Sequence, residues 1–278
     1  MGETWAIFLC GGEGKRLAAY TNGTPKQYCS FDGRRTMLEH TLRRARGVVS
    51  PWRMVTVIGR GHLRWLRPES LTGFVLEQPE NKETAPGLLL PLSTVLAHDS
   101  RAVVLVFPCD HFIQPVPAYQ DLLRRAADLS VRLPDRILLL GARADGPETE
   151  YGWIEAGRSL GGGAREVLRF HEKPDAAAAR RLYDSGGLWN TFIMAGRAET
   201  FWRLTKLFLP GLTARFEPLR RRLGAPLGRV YEGLPSANFS KAVLERGVGN
   251  VAVLPMDGVE WSDWGRIERI DATLGNNR

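Results

Sequence analysis

The chain has 278 residues, 38 Lys+Arg against 30 Asp+Glu, a formal charge of +8 and 44% apolar residues. These ordinary fractions exclude a disordered, collagenous or coiled-coil chain. No run approaches the ~18 apolar residues of a membrane-spanning helix, so no membrane partner is expected. The length suits one large domain or two small ones. With no linker, repeat or low-complexity tract, one domain over residues 1–278 is expected.

The first residues carry Glu3 and a six-residue apolar run, which is no secretory signal, so a cytoplasmic location is expected. Cys10, Cys29 and Cys109 are odd in number and lack metal-like spacing; they are expected to be reduced thiols. The charge attracts anions, whether nucleic acid, a membrane surface or phosphorylated small molecules. The basic residues are 32 Arg and six Lys. The Arg are dispersed and no nucleic-acid-binding pattern accompanies them, so no nucleic-acid partner is expected. Four lysines, Lys15, Lys26, Lys82 and Lys173, fall in short polar segments.

In chain order, residues 5–10 (WAIFLC) form an apolar run that stops at Gly11-Gly12, a buried strand entering a tight loop. Residues 37–45 have helical spacing, and 54–58 and 74–76 read as strands. Residues 84–98 read as a helix with Thr84 as cap and Pro86 in the first turn. Strand 103–107, helix 118–131 and strand 137–140 follow. This alternation of continuous apolar strands with helices predicts an α/β fold, a doubly wound and mainly parallel sheet. Beyond Ala142 the character changes to an elaborated C-terminal half. Strands 152–156 and 166–170 flank Gly161-Gly162-Gly163 as a hairpin. Helix 175–183, strand 190–194, helices 198–209, 216–223 and 236–246, strand 251–254 and helix 266–274 complete it.

Several segments point to phosphate chemistry. In residues 9–17 (LCGGEGKRL) a glycine-rich loop after the first strand lets backbone N–H groups approach phosphate, with Lys15 and Arg16 adding charge. It has neither the Gly-Lys-Ser/Thr ending of a Walker loop nor the three-glycine dinucleotide spacing. Thr24-Pro25-Lys26-Gln27 follows, with Lys26 able to reach the same phosphate. Residues 78–86 (QPENKETAP) leave a strand and open a helix, with polar edges able to read a base. Residues 107–111 (FPCDH) set Asp110 at the carboxyl end of a central strand, where open α/β sheets bind ligands. One Asp holds Mg²⁺ weakly; Asp263 in residues 261–265 (WSDWG) is the candidate second carboxylate. Residues 170–174 (FHEKP) offer Glu172 to sugar hydroxyls and Lys173 as a point charge. Residues 151–153 (YGW) and 188–191 (LWNT) add a glycine, aromatics and an amide. Taken singly each has a plainer reading: a tight turn, a solvated lysine, an Asp-capped turn, a core aromatic. His111 reads as structural rather than as a general base.

Read in order, these segments resemble the sugar nucleotidyltransferases, and more closely the bacterial mannose-1-phosphate guanylyltransferases. The family's GGxGxRL stands at 11–17, PKQ at 25–27, QPxN(R/K)xTAP at 78–86, PxDHxI at 108–113, FxEKP at 170–174 and WSDxG at 261–265. The resemblance covers residues 9 to about 267 and implies a Rossmann-like nucleotidyltransferase fold. It implies attack of a sugar 1-phosphate on a nucleoside triphosphate, giving a nucleotide sugar and pyrophosphate. GTP and mannose 1-phosphate lead, with Mg²⁺ as cofactor held by Asp110 and Asp263. Arg16 would stabilise the α-phosphate, Lys26 would bridge the reacting phosphates and Lys173 would hold the sugar phosphate. Leu9, Gly11, Gly12, Gly14, Lys15, Arg16, Gln78, Glu80, Asn81, Thr84, Ala85, Pro86 and Asp110 would bind the nucleotide. Lys26, Gly152, Glu172, Lys173, Asn190 and Thr191 would bind the sugar phosphate.

The chain departs from the family at three places. Trp-Asn-Ser-Gly becomes Trp189-Asn190-Thr191-Phe192, Ser-x-Asp-Tyr becomes Ser236-Ala237-Asn238-Phe239, and the Trp-Pro-Leu after Arg16-Leu17 is missing. No C-terminal β-helix or isomerase extension is expected, and a homodimer stays open. Another sugar or cyclitol phosphate, another base, or a nucleotide-sugar-binding protein without turnover are the alternatives.

Overall fold

The computed structural model describes residues 2–14, 17, 20–221 and 226–275. The strands are β1 (Thr4–Cys10), β2 (Met54–Gly59), β3 (Phe74–Gln78), β4 (Val103–Pro108), β5 (Phe112–Gln114), β6 (Ile137–Arg143), β7 (Gly152–Gly161), β8 (Ala164–Glu172), β9 (Leu188–Arg197), β10 (Val251–Pro255) and β11 (Glu260–Ser262). The helices are α1 (Met37–Arg46), α2 (Thr84–His98), α3 (Val116–Arg132), α4 (Ala176–Asp184), α5 (Ala198–Phe208), α6 (Pro210–Arg221), α7 (Leu227–Tyr231) and α8 (Ile267–Gly275).

Among the described residues nine strands form one sheet in the order β3-β2-β1-β4-β9-β6-β10-β8-β7. The four strands β3, β2, β1 and β4 are mutually parallel, as are β6 and β10. Strand β9 enters antiparallel between β4 and β6, and β8 runs antiparallel to β10 and β7. The sheet is thus mixed and mostly parallel, as the alternation predicts. Its two reversed strands, β8 and β9, come from the C-terminal half: β8 returns through the β7–β8 hairpin and β9 follows α4.

The central strands are apolar throughout because both faces are covered. In β1, Trp5 and Ile7 join the core under α2, α5 and α6, while Ala6, Phe8 and Cys10 join the core under α1 and α3. Strands β2 and β4 alternate the same way, with Val55, Val57, Val104 and Val106 on the first side and Met54, Ile58, Leu105 and Phe107 on the second. This is the period-two alternation of a strand in a doubly covered sheet. Helix α1 starts with a capping box in which Thr36 and Glu39 exchange hydrogen bonds.

Three expectations are corrected. Thr84 does not cap α2: Glu83 holds the cap position without a side-chain cap bond, and Thr84 Oγ1 accepts from Phe239 N at 2.8 Å instead. The expected helix 236–246 is a π-helical turn over Ser240–Leu244, because residues 236–238 lie outside any helix and Ala237 exchanges backbone hydrogen bonds with Lys82 and Ala85. The expected helix 216–223 instead runs over Pro210–Arg221, with residues 222 and 223 outside the described residues.

The reading of three reduced thiols is also corrected. Cys10 and Cys109 form a disulfide, and Cys29 is the free cysteine among the described residues. The pairing comes from sheet order. Leu9 pairs with Pro108 in the β1–β4 register, so the next residues, Cys10 and Cys109, lie side by side with Cα atoms 5.5 Å apart. A separation of 99 residues hides this in the sequence. Denatured protein without reductant should titrate one thiol per chain, rising to three after treatment with a dithiol. Three thiols before reduction would contradict the pairing.

Candidate active site

The carboxyl ends of β1, β3 and β4 open into a cleft of about 660 Å³. Its floor is the glycine-rich loop after β1, which the segment after Pro25 clamps. Gln27 Nε2 donates to the carbonyls of Cys10 at 2.9 Å and Gly12 at 2.7 Å, and Tyr28 Oη donates to Cys10 O at 3.3 Å. Two glycines here leave room for their neighbours. Gly14 has φ +65°, and a Cβ on it would stand 2.9 Å from Lys26 N. A Cβ on Gly11 would overlap the Gln78 amide. Gln78 is buried at the end of β3, and its Oε1 has no hydrogen-bond partner among the described residues. A buried acceptor without a partner is unusual.

Asp110 and Asp263 reach one place because of a two-stranded ladder. Strand β11 pairs antiparallel with β5, matching Trp261 with Ile113 and Ser262 with Phe112. The residue after Ser262 therefore meets the residues just before Phe112. Between them lies Lys26, buried at 4% exposure. Its Nζ stands 3.1 Å from Asp110 Oδ2 and also donates to the main-chain carbonyl of Asp263. The Asp263 Oδ1 accepts from Tyr151 Oη and, at 2.9 Å, from Gly265 N. Burial, then the negative charge of Asp263, holds the Tyr151 hydroxyl well above the ordinary phenol range, so it stays a donor.

Around the acids the support is mostly neutral. Trp261 Nε1 donates to His111 Nδ1 at 3.1 Å, which leaves the His111 proton on Nε2, 3.7 Å from Asp110 Oδ1. Burial pushes the His111 imidazole down to about 4, so it is neutral near pH 7. Beneath this loop the buried Arg44 guanidinium donates to His111 O at 3.0 Å and to Ile113 O at 3.4 Å. His111 is thus a packed and oriented group, as its sequence reading holds.

A smaller chamber of about 180 Å³ adjoins the cleft. Its lining includes Glu150, Tyr151, Gly152, Glu172, Asn190, Thr191, Asn238 and Asp263. A Cβ on Gly152 would stand 3.0 Å from Glu172 Oε2, so the glycine lets that carboxylate lie against the strand. Burial raises the Glu172 carboxyl above its ordinary range; Lys173 opposes this, while Glu245 and Glu83 add to it. The chamber wall is a bulge in β9. Gly141 pairs with Asn190 and Leu139 with Met194, so one residue of β6 faces three of β9. Side chains close the gap: Thr191 Oγ1 donates to Leu140 O at 2.6 Å and accepts from Ile193 N at 3.1 Å, and Asn190 Oδ1 accepts from Phe192 N at 3.1 Å. Phe192 is left at φ +58°.

Of the residues expected from sequence, Leu9, Gly11, Gly12, Gly14, Lys26, Gln78, Asn81, Thr84 and Asp110 line the larger cleft. Gly152, Glu172, Asn190, Thr191 and Asp263 line the smaller chamber. Glu80 stands apart, 59% exposed at its side chain and paired with Lys82 at 2.9 Å. Ala85 and Pro86 are buried in the first turn of α2. Lys173 is exposed at the end of β8, next to Glu172, with φ +50°. Lys15 and Arg16 lie outside the described residues. Sequence reasoning missed Glu83, Ser236 and Asn238 as lining residues, because their segments meet through backbone pairing across more than 150 residues. It also missed the Tyr151–Asp263 bond. Glu83 carries a legible signal only in its neighbours: Asn81 Oδ1 accepts from its N–H, fixing φ +70°.

Among the described residues no helix is long and apolar enough to cross a membrane. Residues 5–208 match the family model described as nucleotidyl transferase. The mannose-1-phosphate guanylyltransferase ManC of Salmonella typhimurium is 31% identical over 95% of this chain and 58% of its own length. The xanthan biosynthesis protein XanB of Xanthomonas campestris is 28% identical over the same shares. The chain therefore spans little more than half the length of these curated relatives. A crystal structure described as mannose-1-phosphate geranyltransferase from Thermus thermophilus superposes with a TM-score of 0.87 at 30% identity, covering 96% of this chain and 79% of that one. With a family model matched across most of its length and a fold shared with such a structure, the chain belongs to the nucleotidyl transferase family.

Proposed function

We propose that this protein transfers a guanylyl group from GTP to mannose 1-phosphate, giving GDP-mannose and pyrophosphate. The observation that carries the reading is the pair of adjoining chambers with Lys26, Asp110 and Asp263 at their junction. The larger suits a nucleoside triphosphate and the smaller a single sugar ring. The names of the relatives support the donor and the acceptor.

In the proposed reaction an oxygen of the acceptor phosphate attacks the α-phosphorus. The bond from that phosphorus to the bridging oxygen of the leaving group breaks, and pyrophosphate departs with the electron pair. A phosphate with its second pKa near ~6 is already an anion at neutral pH, so no general base is needed. The task is to bring two anions together, by positioning and by charge. Lys26, held rigidly at the junction, offers one cation to both phosphates. The Gly11–Gly14 loop offers backbone N–H groups, and Lys15 and Arg16 are its proposed charges. Gln78 and Asn81, which line the cleft, are the proposed readers of the base. Lys173 is assigned to the sugar phosphate, and Glu172, Asn190 and Thr191 to the hydroxyls.

Magnesium fits the residues present. Among the described lining residues of the triphosphate cleft, Glu13, Glu83 and Asp110 outnumber Lys26, which is a poor match to a polyanion without a divalent cation. Asp110 and Asp263 supply two hard oxygen ligands, and Mg²⁺ takes its remaining ligands from phosphate and water. When bound, the ion would add positive charge at the α-phosphate and at the departing pyrophosphate. Tyr151 and Gly265 orient the Asp263 carboxylate, and Lys26 orients that of Asp110.

Pyrophosphate release should be measured for several nucleoside triphosphates against several sugar 1-phosphates. GTP with mannose 1-phosphate should give the highest kcat/KM. A better pair would overturn the assigned specificity, and no release from any pair would overturn transfer itself. Asp110→Asn and Asp263→Asn should each lower kcat by ~10²-fold or more, because a metal contributes several kcal/mol and each 1.36 kcal/mol is tenfold. A folded Asp263→Asn protein with near-wild-type turnover would remove that residue from the metal site.

Glu172 gives a pH signature independent of turnover. Its folded pKa lies above its unfolded one, so the folded state holds the extra proton. Its contribution is intact below the ordinary carboxylate value and is lost as pH rises through the raised one. Glu172→Gln should therefore melt at a higher temperature than the wild type near pH 8, and the difference should shrink toward zero as pH falls below about 4. A constant difference across that window would refute the shifted carboxyl.

A further inference from the structure

We infer that the Phe192 ring sets the size limit of the acceptor chamber, restricting the acceptor to a monosaccharide 1-phosphate with no ring substituent bulkier than hydroxyl. The inference rests on the nucleotidyl-transfer reading and names the acceptor class of that site.

Several observations converge on this residue. Phe192 lines both chambers, so the residue stands at the boundary that an acceptor must fit against. Its backbone is left-handed at φ +58°, a region that bulky side chains avoid and glycine enters freely. The bulge holds it there, with its own N–H on Asn190 Oδ1 and the next N–H on Thr191 Oγ1. A residue held in so sparse a conformation beside a ligand chamber points to function.

The ring is also fixed from behind. It meets Phe239 edge to face at 6.2 Å, and Phe239 is fully buried with its N–H on Thr84 Oγ1. Phe239, held in this way, blocks the Phe192 ring from retreating toward α2. Phe192 packs against the edge of the core through Phe239 yet stays only partly buried, while its strand neighbours Ile193 and Met194 are the buried ones. Finally, 180 Å³ is small against the ~300–1,000 Å³ of common ligand pockets, room on the scale of one sugar ring. In the resembling family glycine stands at this place. Phenylalanine here narrows a chamber that glycine would leave open.

The test compares Phe192→Gly and Phe192→Ala with the wild type, after thermal melts have established folding. Alanine removes the ring and keeps the left-handed backbone; glycine removes the ring and relieves it. The readout is the ratio of kcat/KM for mannose 1-phosphate carrying an acetamido group at C2, C4 or C6 to that for unsubstituted mannose 1-phosphate, with GTP as donor. Both variants should raise this ratio at least tenfold for at least one of the three positions. Ratios within twofold of wild type in both variants would overturn the inference. So would a wild type that uses the acetamido sugars as well as the plain one, or a change confined to the glycine variant, which would assign the effect to backbone strain. A wild type without turnover on any sugar phosphate would overturn the underlying reading, and this inference with it.

Discussion

The ammonium of Lys26 ties together three segments at the junction of the two chambers. It is reached from the loop after β1, it contacts the carboxylate that follows β4, and it donates to the main chain that follows β11. A buried lysine needs anionic or carbonyl partners, because an unpaired charge in such a place is costly. Asp110 keeps a side-chain exposure of 38%, so part of its charge remains in water. Breaking the pair on one side would therefore cost well short of the ~3–5 kcal/mol of a fully buried pair. The contact matters more for geometry than for stability. It brings a Gly-rich loop, a strand-end acid and a distant second acid to the boundary between two chambers.

The surrounding architecture explains why that boundary is stiff. Parallel β1 and β4 end side by side, with a disulfide at their last positions and the loop and Asp110 just beyond. Arg44 from α1 holds the carbonyls of the Asp110 loop, and Trp261 holds His111. On the other side residues 236–238 lie along residues 82–85, with Ala85 N donating to Ala237 O at 2.9 Å. Strand β9, reversed between β4 and β6, delivers Asn190 and Phe192 through its bulge. In the proposed reaction little covalent work falls to the protein, so rigid placement of charge is the natural use of such a frame.

Local features of the sequence translated well into structure. The alternation of apolar runs and helical spacing located the central strands and the long helices, because those patterns reflect burial on two faces or on one. The glycine-rich loop, the Pro25–Gln27 segment and the two aspartates were legible as separate polar islands. What the sequence did not display was contact set by sheet order. Cys10 and Cys109 meet only because β1 and β4 are neighbours. Thr84 gives up capping to receive Phe239, and Glu80, a plausible base reader in sequence, turns outward to Lys82. Phe192 was visible as a departure from the family pattern, but its left-handed backbone follows from the β6–β9 register.

The convergence of Asp110 and Asp263 on one divalent ion is the claim on which the proposed chemistry stands. Diffraction from crystals of the protein with GTP and Mn²⁺ in place of Mg²⁺ tests it most directly, because manganese is located by its anomalous signal. The account predicts a peak ligated by carboxylate oxygens of both aspartates and by triphosphate oxygens. A nucleotide seated in the larger cleft with its manganese held by neither aspartate, or by groups elsewhere, would contradict it.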